Sequence, residues 1–314
     1  MAMAASASRM SRPLICAVST TKDFVTVLKQ KSQDLVIKEM TIASTESIDN
    51  AVQEATLCEI LVAENDVISK VLENPGKLKW IHSTWAGVDK LTAQWKKLPG
   101  VILTRTGHGF GQLIGEYVVG QIISWERDFH SLMASQRDRH WKRNVGKTIL
   151  PLTRLNIGVL GVGEIGKRGW DRCEDVDGYR LLADLKDILV NCDYICNVLP
   201  STPETVGLLN NGMLRNCEAK RAVFINVGRG DVISEDELIQ AIRSEWLGGA
   251  ILDVFEKEPL PADSPLWTEP GVIITPHCSG PTITSLATDA FLINYKRYME
   301  GKDLLWKCDF ERGY

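Results

Sequence analysis

The most restrictive feature of this chain is an alternation, run through twice, of short β-branched segments with stretches of helical spacing. LICAVS (14–19), LVIKEM (35–40), EILVAE (59–64), KWIHSTW (79–85) and VILTRT (101–106) read as strands. DFVTVLKQK and DVISKVLEN, which lie between them, carry apolar residues at helical intervals. Strand–helix alternation calls for a parallel sheet, because a parallel pair needs a crossover long enough to hold a helix. The segment 109–141 has no proline and predicts one or two long helices leaving the first domain. NIGVLG, Asn156–Gly161, then opens a second α/β unit, with later strands at Tyr194–Leu199, Ala222–Val227, Ala250–Val254 and Val272–Thr275. A last helix at about 282–300 is expected to pack back on the first domain. The expected domains are 13–104 with 284–314, and 105–283, with 1–12 as a disordered tail.

Composition removes several function classes. The formal net charge is −4, which argues against nucleic-acid binding or attachment to an anionic membrane. No apolar run reaches the roughly 18 residues of a membrane span. MAMAASASRMSRP lacks the apolar stretch of a secretory signal; a cytoplasmic location is expected, with a mitochondrial leader as the alternative. The eight cysteines form no CxxC pair, so a reducing compartment is expected and no metal site.

Chemistry enters at a glycine turn directly after the strand NIGVLG. Gly161 permits the tight turn, Gly163 lets backbone approach a pyrophosphate, and Gly166 lets the helix sit close to the strand. Glu164 and Ile165 lie at the N-terminus of that helix, whose N–H groups would face the anion. Three later segments end strands with charge. FINVGRG carries Val227, Gly228 and Arg229; ILDVFEKEP carries Asp253 and Glu258; VIITPHCSG carries His277 and Ser279. Ligands in doubly wound sheets sit beyond the carboxyl ends of the strands, so a cation, two acids and an imidazole converge on one edge. Arginine suits a carboxylate, which it can bind bidentately. A histidine backed by a glutamate suits proton transfer near neutral pH.

NVGRG, DVFEKEP and TPHCSG, in this order after GVGEIG, resemble the D-isomer-specific 2-hydroxyacid dehydrogenases. SPLW, STPETVG and the ending ERGY resemble the glyoxylate/hydroxypyruvate reductase branch. The likeness implies a flavodoxin-like substrate domain, a Rossmann-type doubly wound NAD(P)-binding domain, an active cleft between them, and a homodimer formed through 109–141. It implies NAD or NADP as cofactor, with hydride transfer from the reduced form, NADH or NADPH, to a small 2-oxo acid. Arg229 would anchor the substrate carboxylate and polarise its carbonyl. His277 would protonate the carbonyl oxygen, and Glu258 would orient His277 and raise its pKa. Asp253 would seat the nicotinamide carboxamide; Pro200, Val227, Gly228 and Ser279 would complete the cofactor site. STWAGVDKL resembles the family's carboxylate-binding loop, where Gly87 and Val88 donate N–H groups and Trp85 walls the pocket. Glu116, in GEYVVGQ, is read as structural and hinge-related, and Trp141 as lining a neighbouring subunit's site. His82, His108, His130 and His140 are read as structural.

The chain departs from the pattern after Gly166. A family member makes two more strands there, with the residue that reads the adenosine ribose about 20 positions past the turn. Here only Lys167–Leu181 precedes the helix LADLKDILVN, and KRGWDRCEDVDGYR reads as loop. Asp184 falls at the start of that helix rather than at a strand end. The expectation is a second domain shortened on its adenosine side, with Asn156–Gly161 as an edge strand. The choice between NAD and NADP rests with the ribose reader. The alternative to an enzyme is a catalytically impaired isoform that lacks the adenosine-binding half and acts as a binding or dimerisation partner.

Overall fold

The computed structural model describes residues 12–21, 23–40, 45–94, 100–107, 109–143, 149–161 and 184–310. The expected tail apart from Arg12, His108, the turn residues Gly163, Glu164, Ile165 and Gly166, and the expected loop Lys167–Leu181 lie outside the described residues. The chain divides into two compact units, Met1–His108 with Thr282–Tyr314, and Gly109–Pro281.

The first unit holds five parallel strands: β1 (Leu14–Val18), β2 (Val36–Met40), β3 (Ile60–Ala63), β4 (Trp80–Ser83) and β5 (Ile102–Arg105). Their order is β2-β1-β3-β4-β5. Strands alternate with α1 (Phe24–Lys31), α2 (Thr45–Ala55), α3 (Asn65–Val71) and α4 (Asp89–Gln94), and α9 (Thr284–Met299) returns to this unit. The two-residue period of the strands splits the core between the sheet's faces. Cys16, Val18, Leu61, Ala63 and Ile81 pack with Ala51, Val67, Ile68 and Leu91. Ile15, Ala17, Ile60, Val62 and Trp80 pack with Phe24, Leu28, Ala287 and Phe291. Trp80 stacks on Phe291 of α9, 5.2 Å between centroids and 9° between planes. Trp80 Nε1 donates to Thr104 Oγ1 at 2.8 Å, and that hydroxyl also meets His82 Nδ1 at 2.7 Å. Burial pushes the His82 pKa down to about 3, so His82 is a neutral core residue, as expected.

The second unit begins with α5 (Phe110–Glu126) and α6 (Phe129–Arg137), so 109–141 forms two helices. Five parallel strands follow: β6 (Ile157–Leu160), β7 (Tyr194–Asn197), β8 (Val223–Asn226), β9 (Gly249–Leu252) and β10 (Val272–Ile274), in the order β10-β9-β8-β7-β6. α7 (Leu185–Asn191) and α8 (Glu235–Arg243) accompany them, and Asp184 stands at the N-terminus of α7. β7, β8 and β9 are buried along their whole length. Leu160, Ile195, Phe224, Ala250 and Leu252 form one core with Leu189, Leu238 and Leu266. Among the described residues β6 is the last strand of this sheet; the segment 162–183, on which the edge-strand expectation depends, lies outside the described residues. No described helix is long and apolar enough to cross a membrane.

Candidate active site

One row of paired residues closes the carboxyl edge of the second sheet. Leu160, Asn197, Asn226, Leu252 and Ile274 are partners in the parallel register. The chemistry-bearing residues follow this row. Gly161 comes after β6, Pro200 after β7, and Val227, Gly228 and Arg229 after β8. Asp253 and Glu258 come after β9, and His277 and Ser279 after β10. Gly161 has φ +114°, a conformation that L side chains rarely adopt, so the turn after β6 depends on glycine.

Arg229, Glu258 and His277 come together. Glu258 Oε2 accepts from His277 Nδ1 at 2.8 Å, and Glu258 Oε1 accepts from the Phe255 N–H at 3.0 Å. With Nδ1 engaged, Nε2 is the ring atom left to carry a proton toward a substrate. The hydrogen bond to Glu258 raises the His277 pKa; burial and the Arg229 charge oppose this without cancelling it. Burial alone would raise the Glu258 pKa, but the bonds from His277 and Phe255, helped by the Arg229 charge, hold it below the usual value. Gly230 keeps the Arg229 turn against the Glu258 loop. A Cβ there would lie 1.9 Å from the Phe255 carbonyl carbon.

Asp253 is fully buried and holds the histidine loop from below. Its Oδ1 accepts from Thr275 Oγ1 at 2.6 Å and from the Cys278 N–H at 2.9 Å; Oδ2 accepts from the Ser279 N–H at 2.9 Å. The His277 N–H donates to the Asp253 carbonyl at 2.8 Å, and His277 sits at φ +50°, in the left-handed region. Because Thr275 gives its proton to a carboxylate, it accepts from Tyr117 OH, 2.6 Å away. Burial would raise the Asp253 pKa, but these donors lower it, so Asp253 stays ionised.

Two residues of the row itself were missing from the sequence reading. Asn197 and Asn226 are buried at the ends of otherwise apolar strands. Their side chains hold the turns carrying Pro200 and Arg229, through Leu199 N–H to Asn197 Oδ1 (3.2 Å) and Asn226 Nδ2 to the Arg229 carbonyl (3.0 Å). The signal available was an asparagine closing each of YICN and VFIN. Pro200 is half-buried, and Val227 and Gly228 are buried. In the first unit Trp85, Gly87 and Val88 form the turn between β4 and α4, with Trp85 exposed and Val88 buried.

The family model for the D-isomer specific 2-hydroxyacid dehydrogenase NAD-binding domain matches residues 169–279. A D-isomer specific 2-hydroxyacid dehydrogenase family protein from Aeromonas salmonicida is 32% identical, with 96% of this chain and 100% of that one covered and a TM-score of 0.81. A D-isomer specific 2-hydroxyacid dehydrogenase from Xanthobacter autotrophicus, solved with NADPH and MES, is 26% identical over 97% of this chain and 100% of that one, TM-score 0.80. The fold is also that of an NADPH-dependent glyoxylate/hydroxypyruvate reductase from Sinorhizobium meliloti, 24% identical over 97% and 100%, TM-score 0.76. A parallel sheet whose carboxyl edge brings together an arginine, a histidine and the glutamate behind it thus agrees with full-length likeness: this chain belongs to the D-isomer-specific 2-hydroxyacid dehydrogenase family.

Proposed function

We propose that this protein reduces a small 2-oxo acid of the glyoxylate or hydroxypyruvate type to the D-2-hydroxy acid, using NADPH or NADH. The observation that carries the reading is the His277–Glu258 pair, 2.8 Å apart, with the Arg229 charge acting on both members. The glycine with positive φ directly after β6 and the family's NAD-binding domain match suit a dinucleotide. Gly161, Pro200, Val227, Gly228, Asp253 and Ser279 would hold it, together with Gly163, Glu164, Ile165 and Gly166. Bound NAD(P)H supplies a hydride to the carbonyl carbon. Arg229 binds the substrate carboxylate and draws electron density from the carbonyl. His277 gives its Nε2 proton to the carbonyl oxygen, and Glu258 stabilises the imidazolium beforehand. In the first unit, Gly87 and Val88 would offer N–H groups to a carboxylate, and Trp85 would wall that pocket.

A homodimer is part of the same reading. α6 buries none of its residues, and Phe129, Met133 and Trp141 near it are 45%, 61% and 89% exposed, which suits a face covered by a second copy. Light scattering giving a monomer mass would remove this part.

A second reading, an impaired isoform acting as a binding or dimerisation partner, rests on the sequence: only Lys167–Leu181 lies between the glycine turn and the helix LADLKDILVN. Calorimetric titration with NADPH and then NADH separates the two. Micromolar binding, about −8 kcal/mol, supports the enzyme and selects its cofactor. No binding by the folded chain supports the isoform. For the mechanism, R229A and H277A should each lower turnover by about a hundredfold or more, and near-wild-type rates in both would sink it.

A further inference from the structure

We propose that Asn65 is a positioning residue for substrate binding, which sets the direction in which the Val88 N–H points. This rests on the reading of the 85–88 turn as a carboxylate site.

Asn65 opens α3, on the strand-end side of β3, and is 8% exposed. Its Nδ2 donates to the Gly87 carbonyl at 2.7 Å. Its Oδ1 accepts from Ser83 Oγ at 2.7 Å, and Ser83 Oγ accepts from the Trp85 N–H at 3.1 Å. The roles are fixed by chemistry. The Gly87 carbonyl can only accept, so the amide nitrogen must face it. Ser83 already accepts from Trp85, so its proton goes to Asn65. One buried side chain therefore grips the turn at both ends.

The consequence lies in the Gly87–Val88 peptide. In a trans peptide the C=O and the following N–H point in opposite directions. With the Gly87 carbonyl drawn toward Asn65, the Val88 N–H is turned the other way. Among the described residues neither the Gly87 nor the Val88 N–H donates to a backbone or side-chain acceptor. Two N–H groups left unused on one fixed turn make an anion-binding arrangement. Without the grip of Asn65 the peptide can rotate and present a carbonyl oxygen, which repels a carboxylate.

The decisive variant is Asn65→Asp. It keeps an acceptor for Ser83 but sets an oxygen against the Gly87 carbonyl. With glyoxylate and NADPH, KM should rise about tenfold or more while kcat stays within about threefold. The calorimetric Kd of oxalate, a non-reacting dicarboxylate, should weaken by the same factor, and NADPH affinity should not change. A structural defect alone would instead lower kcat and weaken NADPH binding along with any rise in KM. If Asn65→Asp does not fold, Ser83→Ala carries the test, since it removes the hydroxyl that anchors Asn65 without adding charge, and about a threefold rise in KM is expected. Unchanged KM and oxalate affinity in the folded variant overturns the proposal. The wild-type Val88 amide resonance then shows how far the failure reaches. If oxalate shifts that resonance, the turn remains the carboxylate site and only Asn65's part is wrong; if not, the carboxylate reading falls as well.

Discussion

Asn197 and Asn226 are register partners on neighbouring strands, and the Asn197 Nδ2 donates to Asn226 Oδ1 at 2.9 Å. Asn226 Oδ1 also receives the Gly228 N–H at 3.3 Å, while its Nδ2 holds the Arg229 carbonyl. The pair turns the last residues of two buried strands into anchors for the turns that follow. Asn226→Ala leaves buried donors without acceptors, which costs about 2–3 kcal/mol. Urea unfolding should show that loss, together with a fall in turnover as the Arg229 turn loosens. A change below about 0.5 kcal/mol would show that the turns hold themselves.

The strands were legible because parallel strands covered on both faces are apolar along their length, as in VFIN and GAIL. Arg229, Glu258 and His277 were legible because each follows such a strand by a few residues, and topology gathers all strand ends on one edge. The asparagine pair was not, because a single polar residue at a strand end looks like the start of a loop. Nor was the duty of Asp253 toward the 277–279 loop, which depends on the left-handed backbone at His277, a position where sequence gives no glycine to mark it. The hold of Asn65 on Gly87 links residues far apart in the chain, through a fold that had to be known first.

Gly230 tests how tightly the Arg229 turn and the Glu258 loop are pressed together. Gly230→Ala puts a methyl group inside the van der Waals radius of the Phe255 backbone, where no flexible side chain can give way. Backbone must move, at about 3 kcal/mol or more. Thermal unfolding should fall by several degrees, and turnover should fall with it. An unchanged melting temperature would mean that the two segments can part without cost.

Thr275→Val tests the support beneath His277. The substitution keeps the shape but removes the hydroxyl that donates to Asp253 and accepts from Tyr117. The Tyr117 hydroxyl, whose pKa burial pushes up to about 12, then lacks its acceptor. The expected cost is about 1–2 kcal/mol, with a several-fold fall in kcat as the histidine loop loosens. Tyr117→Phe should disturb kcat less, because Thr275 still donates to Asp253. Equal kcat in Thr275→Val and the wild type would show that the Cys278 and Ser279 N–H groups hold the loop alone.

The pH dependence follows from the His277–Glu258 pair. The folded pKa of His277 lies above its ordinary 6.5, so its proton binds more tightly in the native state. The stability this gives is fully present below pH 6.5 and is lost as pH rises through the raised value. Glu258 has a folded pKa below its ordinary 4.5; its contribution is present above 4.5 and is lost as pH falls through the lowered value. Between the two limits the pair exists as imidazolium and carboxylate, the form that can donate the Nε2 proton. Reduction should therefore run at a plateau on the acid side of the His277 pKa and decline above it. Glu258→Gln removes the first cause of the upward shift, the carboxylate bonded to Nδ1, and leaves burial and the Arg229 charge, which lower the pKa, against the smaller upward pull of the Asp253 charge. The alkaline limb of kcat/KM should then move to lower pH, with a lower plateau. Titrating the His277 ring by NMR should show the same displacement. A limb that stays in place in Glu258→Gln would assign the titration to another group and take the proton-donor role away from His277.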